Sequence, residues 1–160
     1  MLAQKQQHEG NRRLVTIFVI GGMRFGVEVD YLVEIQQVKN EVLHEKKGNF
    51  YGFFDSKGRK IPILNFQKFC NIASDNKDAN IRSMLILRDK PKGDDSTSLL
   101  GIVVDLIEGV EDEKNFNMFA FPQTMRNEAT DIYQGLLVRR DNLISQLDIP
   151  RLINKVKNFI

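Results

Sequence analysis

The sequence is poor in the side chains that chemistry most often uses. It has one cysteine, Cys70, among 160 residues, so no internal disulfide can form. Within "FQKFCNI" that thiol reads as a small core residue beside Phe69, and it fits a reducing, cytosolic compartment. Nowhere do about 18 apolar residues run together, and "MLAQKQQHEGNRR" holds no apolar stretch of signal-peptide length. Neither a membrane span nor secretion is expected, and any link to a membrane is expected to run through a partner. Excess charge of one sign is lacking too. The 23 basic side chains face 21 acidic ones, a formal net charge of +2, too even for the electrostatic footprint of a dedicated nucleic-acid binder.

Histidine is scarce. His8 and His44 have no Cys and no Asp/Glu cluster at ligand spacing around them, so no metal centre is expected. The same scarcity removes the base that Cys70 or a serine would need to act as a nucleophile. "VEDEK" gathers Glu111, Asp112 and Glu113, which reads as a solvated acidic face leading into a loop. "GGMRFG" lacks the spacing and terminal Lys-Ser/Thr of a phosphate loop, and it leads into a strand where a helix would be required. No enzyme activity and no cofactor are expected.

What is present is a β pattern. Residues 1–13 are polar and read as a flexible arm. From Leu14, "LVTIFVI", the pair Gly21-Gly22 and "MRFGVEV" read as strand, two-residue turn and strand, with Phe25, Val27 and Val29 alternating with polar or small residues. "SMLILRD" and "SLLGIVVD" repeat this grammar around the loop "KPKGDDSTS". Helices are few. Asn65 caps "NFQKFC", and Pro150 stands near the start of "DIPRLINKVKNFI", which carries Leu152, Ile153, Val156 and Ile160 on one stripe.

The two halves of the chain resemble each other. Setting "FGVEVDYLVE" over "LGIVVDLIEG" aligns Gly26 with Gly101, Val29 with Val104 and Asp30 with Asp105. Setting "GFFDSKGRKIPILNFQKF" over "GLLVRRDNLISQLDIPRL" aligns Gly52 with Gly135, Ile61 with Ile144, Leu64 with Leu147 and Asn65 with Asp148. The expectation is a mainly β domain over 14–160, made of two small five-stranded barrels packed together, with short helices and a C-terminal helix. The modules fall roughly at 14–80 and 81–153, with exchange of strands between them allowed. Phe18, Phe25, Phe53, Phe54, Phe66 and Phe69 fit core patterns, whereas Phe119 and Phe121 in "NFNMFAFP" belong either to loop packing or to a partner-facing apolar loop. Small barrels also bind single-stranded nucleic acid, and Arg59, Lys60, Arg139 and Arg140 hold equivalent places in the two modules, where they would form a basic stripe.

Taken in order, "LVTIFVIGGMRFGVEVDYLVEI", "YGFFDSKGRKIPILNF", "LLGIVVDLIEGV" and "GLLVRRDNLISQLDIPRLI" are similar to the CheW-like chemotaxis coupling proteins, from about Leu14 to Ile153. The resemblance implies two SH3-like barrels in one non-enzymatic adaptor. Such an adaptor joins a CheA-type histidine kinase, through its regulatory domain, to the cytoplasmic hairpin of methyl-accepting chemoreceptors. It would be cytoplasmic, recruited to receptor arrays by its partners, with no nucleic acid and no membrane insertion. Carried over residue by residue, the receptor-facing groove would include Leu32, Glu34, Gly52, Lys57, Ile107 and Val110, and the loop with Phe119 and Phe121 falls where the family makes array contacts. The chain departs from the family pattern at Lys57, where Arg is usual, and at Asn65, where Asp is usual. "HEKKGNF" also lacks the family's proline-bearing approach, so a diverged paralogue in another chemosensory system, such as one for surface motility, fits as well.

Overall fold

The computed structural model describes residues 13–39, 43, 48–73, 81–91, 97–128 and 130–157. Residues 1–12 with His8, His44, most of the "KPKGDDSTS" loop and Ile160 lie outside them. The opening hairpin follows the sequence: β1 (Leu14–Ile20) and β2 (Met23–Glu28) are joined by Gly21 and Gly22, both at positive φ, as a two-residue hairpin with the right-handed strand twist requires. A 3-10 turn at Val29–Tyr31 leads to β3 (Leu32–Lys39). Then come β4 (Phe50–Ser56), β5 (Arg59–Leu64) and the short helix α1 (Phe66–Phe69). The second half contributes β6 (Ile81–Arg88), β7 (Leu99–Val104), β8 (Leu106–Asp112), β9 (Asn117–Phe119), β10 (Tyr133–Arg139), β11 (Asn142–Leu147) and α2 (Ile149–Lys157).

These strands form two sheets, ordered β8-β1-β2-β11-β10-β9 and β3-β6-β7-β5-β4. Neighbours are antiparallel except β2 with β11 and β5 with β7, which are parallel. Each sheet takes strands from both halves of the chain, because the chain crosses between sheets at Val29–Tyr31 and again at Asp105. Interchanging the aligned halves turns one strand order into the other, with β9 as the addition. One sheet therefore has six strands where five were expected. The Asp105 carboxylate accepts a hydrogen bond from the Gly21 amide at 2.8 Å and ties the first hairpin to the second crossover.

β6 and β7 are buried on both faces, which is why "MLIL" and "LGIVV" read as continuous apolar runs. One face feeds a central cluster shared by both sheets and helices, including Phe18, Phe25, Leu64, Phe66, Leu85, Leu87, Ile102 and Leu152. The other faces turn inward on each sheet's own cluster. Met84, Ile86, Val103, Ile61 and Val38 fill the five-stranded sheet, and Val15, Ile17, Phe116, Leu137 and Ile144 fill the six-stranded one. Side chains from strands far apart in each order meet there, so each sheet curls round its cluster as a small barrel. The aligned caps do the same job twice: Asn65 Oδ1 accepts from the Lys68 amide and Asp148 Oδ1 from the Arg151 amide, both at 3.1 Å.

Two expectations are corrected. Phe53, expected in the core, is 58% exposed, because its outward position on β4 borders an open cleft shared with Pro62, Leu100 and Ile153, while Phe54 points inward to the five-stranded barrel. The acidic run is not a solvated face: Asp112 and Glu113 are buried. Asp112 Oδ1 accepts from the Lys114 amide at 3.1 Å and so caps the 3-10 turn Glu113–Asn115, and Gln146 Nε2 lies 3.4 Å from Glu113 Oε2.

Candidate docking face between the barrels

β3 and β8 are the aligned edge strands of the two sheets, and both carry a one-residue bulge. On β8 the register jumps from Ile17 opposite Gly109 to Phe18 opposite Ile107, which leaves Glu108 as the extra residue. On β3 it jumps from Leu32 opposite Leu87 to Glu34 opposite Ile86, leaving Val33. Directly opposed residues share a face, so the bulges reset the alternation. Ile107 and Val110 both lie on the face of Phe18 and Thr16, and Leu32 and Ile35 both lie on the face of Leu87 and Leu85. That face looks toward the central cluster, against which Leu32 and Ile107 pack while partly exposed. Ile35 and Val110, one step outward, remain 47% and 55% exposed. By register, four aliphatic side chains, two from each barrel, thus turn to the side of their sheet that carries the central cluster, and Val110 also borders the cleft described below.

The residues between them point the other way. Glu34 lies on the inner face of β3 with Gln36, whose Nε2 donates to its carboxylate at 2.9 Å. On β8, Glu108 and Glu111 are held from inside the six-stranded barrel. Arg24 on β2 reaches Glu108 with Nε at 2.6 Å and Nη2 at 3.4 Å. Arg139 on β10 grips Glu111 with both terminal nitrogens, at 2.6 and 3.0 Å, and its guanidinium carbon sits 4.5 Å from the centre of the Phe116 ring. The hydrogen bonds that Arg139 donates to Glu111 raise the Arg139 pKa further. These pairs rim a cleft of about 200 Å³ floored by Ile17, Phe116 and Ile144.

The other expected site residues lie elsewhere. Gly52 sits in the register shift of β4 at φ 106°. Lys57, at φ 52°, forms with Gly58 the exposed tip of the β4–β5 hairpin, at the other end of the strand order from Leu32. Phe119 is 56% exposed on the edge strand β9, whereas Phe121 is buried and stacks on Tyr133 at 5.3 Å. The basic stripe is not a row of free cations, since Arg139 is engaged by Glu111 and Arg59 donates to the Thr97 carbonyl. Ile35 was not among the expected residues. The repeat alignment carried one residue further would have found it, because it falls opposite Val110. Arg24 and Arg139 gave no local signal, since their partners are strands away.

Among the described residues no group of His, Cys, Asp and Glu could hold a metal ion, and no helix is long and apolar enough to cross a membrane. Residues 14–157 match the family model of the CheW-like domain. Among solved structures, the chain is similar to the crystal structure of the scaffolding protein TtCheW from Thermoanaerobacter tengcongensis, with a TM-score of 0.62 and 18% identity. The similarity covers 85% of this chain and 88% of that one, and at this identity it shows the fold alone. No curated protein matches the chain.

Proposed function

The chain belongs to the CheW-like domain family, and from that premise we propose that it is a non-enzymatic adaptor coupling a CheA-type histidine kinase to methyl-accepting chemoreceptors. The observation that carries this reading is the inter-barrel face. Leu32, Ile35, Ile107 and Val110 offer an apolar strip that two bulges were needed to assemble, and half-exposed aliphatic side chains gathered on one face suit a helical partner. The receptor's cytoplasmic hairpin supplies such helices. Apolar contact provides the area, while Lys57, on a hairpin tip, sets orientation by charge and Glu34 stands behind the strip on the inner face of β3. Gly52 lets β4 bulge beneath that hairpin, and Phe119 on β9 serves a separate contact with a neighbouring protein of the assembly. The adaptor works by bringing its two partners into one complex, so that the second contact gains effective concentration from the first. It acts in the cytoplasm, at arrays to which those partners recruit it.

Backbone amide spectra of the labelled chain, titrated with a receptor hairpin and then with a kinase regulatory domain, test this. The hairpin is expected to shift amides of 32–35 and 107–110, and Lys57→Glu to weaken the response. A hairpin that leaves these amides in place, while single-stranded oligonucleotide shifts the Arg59 to Lys60 segment, would overturn the reading.

A further inference from the structure

The two walls of the inter-barrel face are built differently. On β8, the outward residues Ile107 and Val110 alternate with Glu108 and Glu111, each held from inside by an arginine of another strand. Among the described residues β8 pairs along its backbone only with β1. Arg24 bridges past β1 from β2, and Arg139 reaches over from β10, near the far end of the strand order, so together they draw the edge strand onto the closed barrel. On β3 the aligned positions are Val33 and Gln36, and Gln36 bonds to Glu34 of its own strand.

We propose that Arg24 and Arg139 are positioning residues, holding β8 from within the barrel so that Ile107 and Val110 present a fixed wall to the docking partner. This rests on the adaptor reading above and adds to it which wall sets the docking register. Arg139 contributes most, because its two-pronged pair with Glu111 is backed by the Phe116 ring, which restricts the guanidinium before any partner arrives. Both pairs are partly exposed, with side chains between 32% and 41% accessible, so neither is expected to decide whether the chain folds. Their role is local geometry, because an edge strand with one ladder is the least constrained part of its sheet.

The test uses the whole chain with a chemoreceptor cytoplasmic hairpin as probe. Hydrogen exchange of the free protein is followed at 106–112, and hairpin affinity is measured by calorimetry for wild type, Glu111→Gln, and the swapped pair Glu111→Arg with Arg139→Glu. Glu111→Gln is expected to speed exchange on β8 but not on β3, and to weaken the hairpin about fivefold. The swapped pair is expected to recover most of both. Ile61→Val, in the other barrel, serves as a control that lowers stability without touching β8, and it should leave affinity unchanged. Wild-type binding at 107–110 with unchanged affinity in Glu111→Gln overturns the proposal alone. Equal loss in Ile61→Val does the same, since it reduces the effect to general stability. Wild type that does not bind the hairpin overturns the adaptor reading and the proposal with it.

Discussion

Truncating the exposed pair on the inter-barrel face, Ile35→Ala with Val110→Ala, gives the sharpest measure of whether both barrels contribute to docking. Fully burying a Val or Ile side chain stabilises by roughly 1.5–3 kcal/mol. In the free chain Ile35 and Val110 keep 47% and 55% of their surface, so about half of that gain remains for a partner to collect. Each truncation should therefore cost roughly 1 kcal/mol of binding, and the two together about 2 kcal/mol, near a thirtyfold rise in Kd. The fold should hardly notice, because exposed positions usually change stability by less than about 0.5 kcal/mol. Calorimetric titration of each variant with a receptor hairpin, beside urea unfolding, separates the two quantities. The singles should lose similar amounts, since the residues hold matching places in the repeat. A double variant that binds within about threefold of wild type refutes the reasoning. A loss confined to Val110→Ala would show that only the β8 wall is used.

The aligned glycines test the packing. An alanine Cβ at Gly26 would lie 2.8 Å from Val15 Cγ1 and 3.3 Å from Ile144 Cγ2, both on stiff β-branched residues, whereas at Gly101 it would meet the flexible Met84 thioether at 2.9 Å. Gly26→Ala should cost roughly 1–3 kcal/mol in urea unfolding and Gly101→Ala distinctly less; the reverse order would contradict the packing described. Asp148→Ala removes the cap of α2, whose Ile149, Leu152, Ile153 and Val156 are buried, and should cost about 1 kcal/mol, with less helical signal loss for Asn65→Ala on the one-turn α1. Burial pushes the Cys70 thiol up from 9.0 to about 11, so at pH 8 the folded chain should react with iodoacetamide about a hundredfold more slowly than the unfolded chain. Because the folded value is the higher one, this contribution to stability is full below about pH 9 and is lost as pH rises toward 11; stability that increases over that range would contradict it.

Much of the architecture was legible because it is local. Gly21-Gly22 turns a hairpin wherever it stands between two apolar strands, since both positions need positive φ. Asn65 and Asp148 cap helices because a short side-chain oxygen can reach an amide three residues on. The repeat was legible because both halves need small residues, caps and inward aliphatics at the same places. Leu32, Ile107 and Val110 are proposed through the family resemblance, and strand alternation alone would set Ile107 and Val110 on opposite faces.

By itself, then, the sequence determined the hairpins, the turns, the caps and the absence of recognisable catalytic motifs, all of which depend on neighbours a few residues apart. Only the tertiary structure decided which strands share a sheet, since the crossovers at Val29–Tyr31 and Asp105 send each half's leading hairpin into the other half's barrel. It also decided the bulges at Val33 and Glu108, which lie on edge strands, where such irregularities concentrate. The burial of Asp112 and Glu113, the exposure of Phe53 and the grip of Arg139 on Glu111 belong to the same class. Each depends on what closes over or reaches across a residue from far along the chain, and no local pattern carries that information.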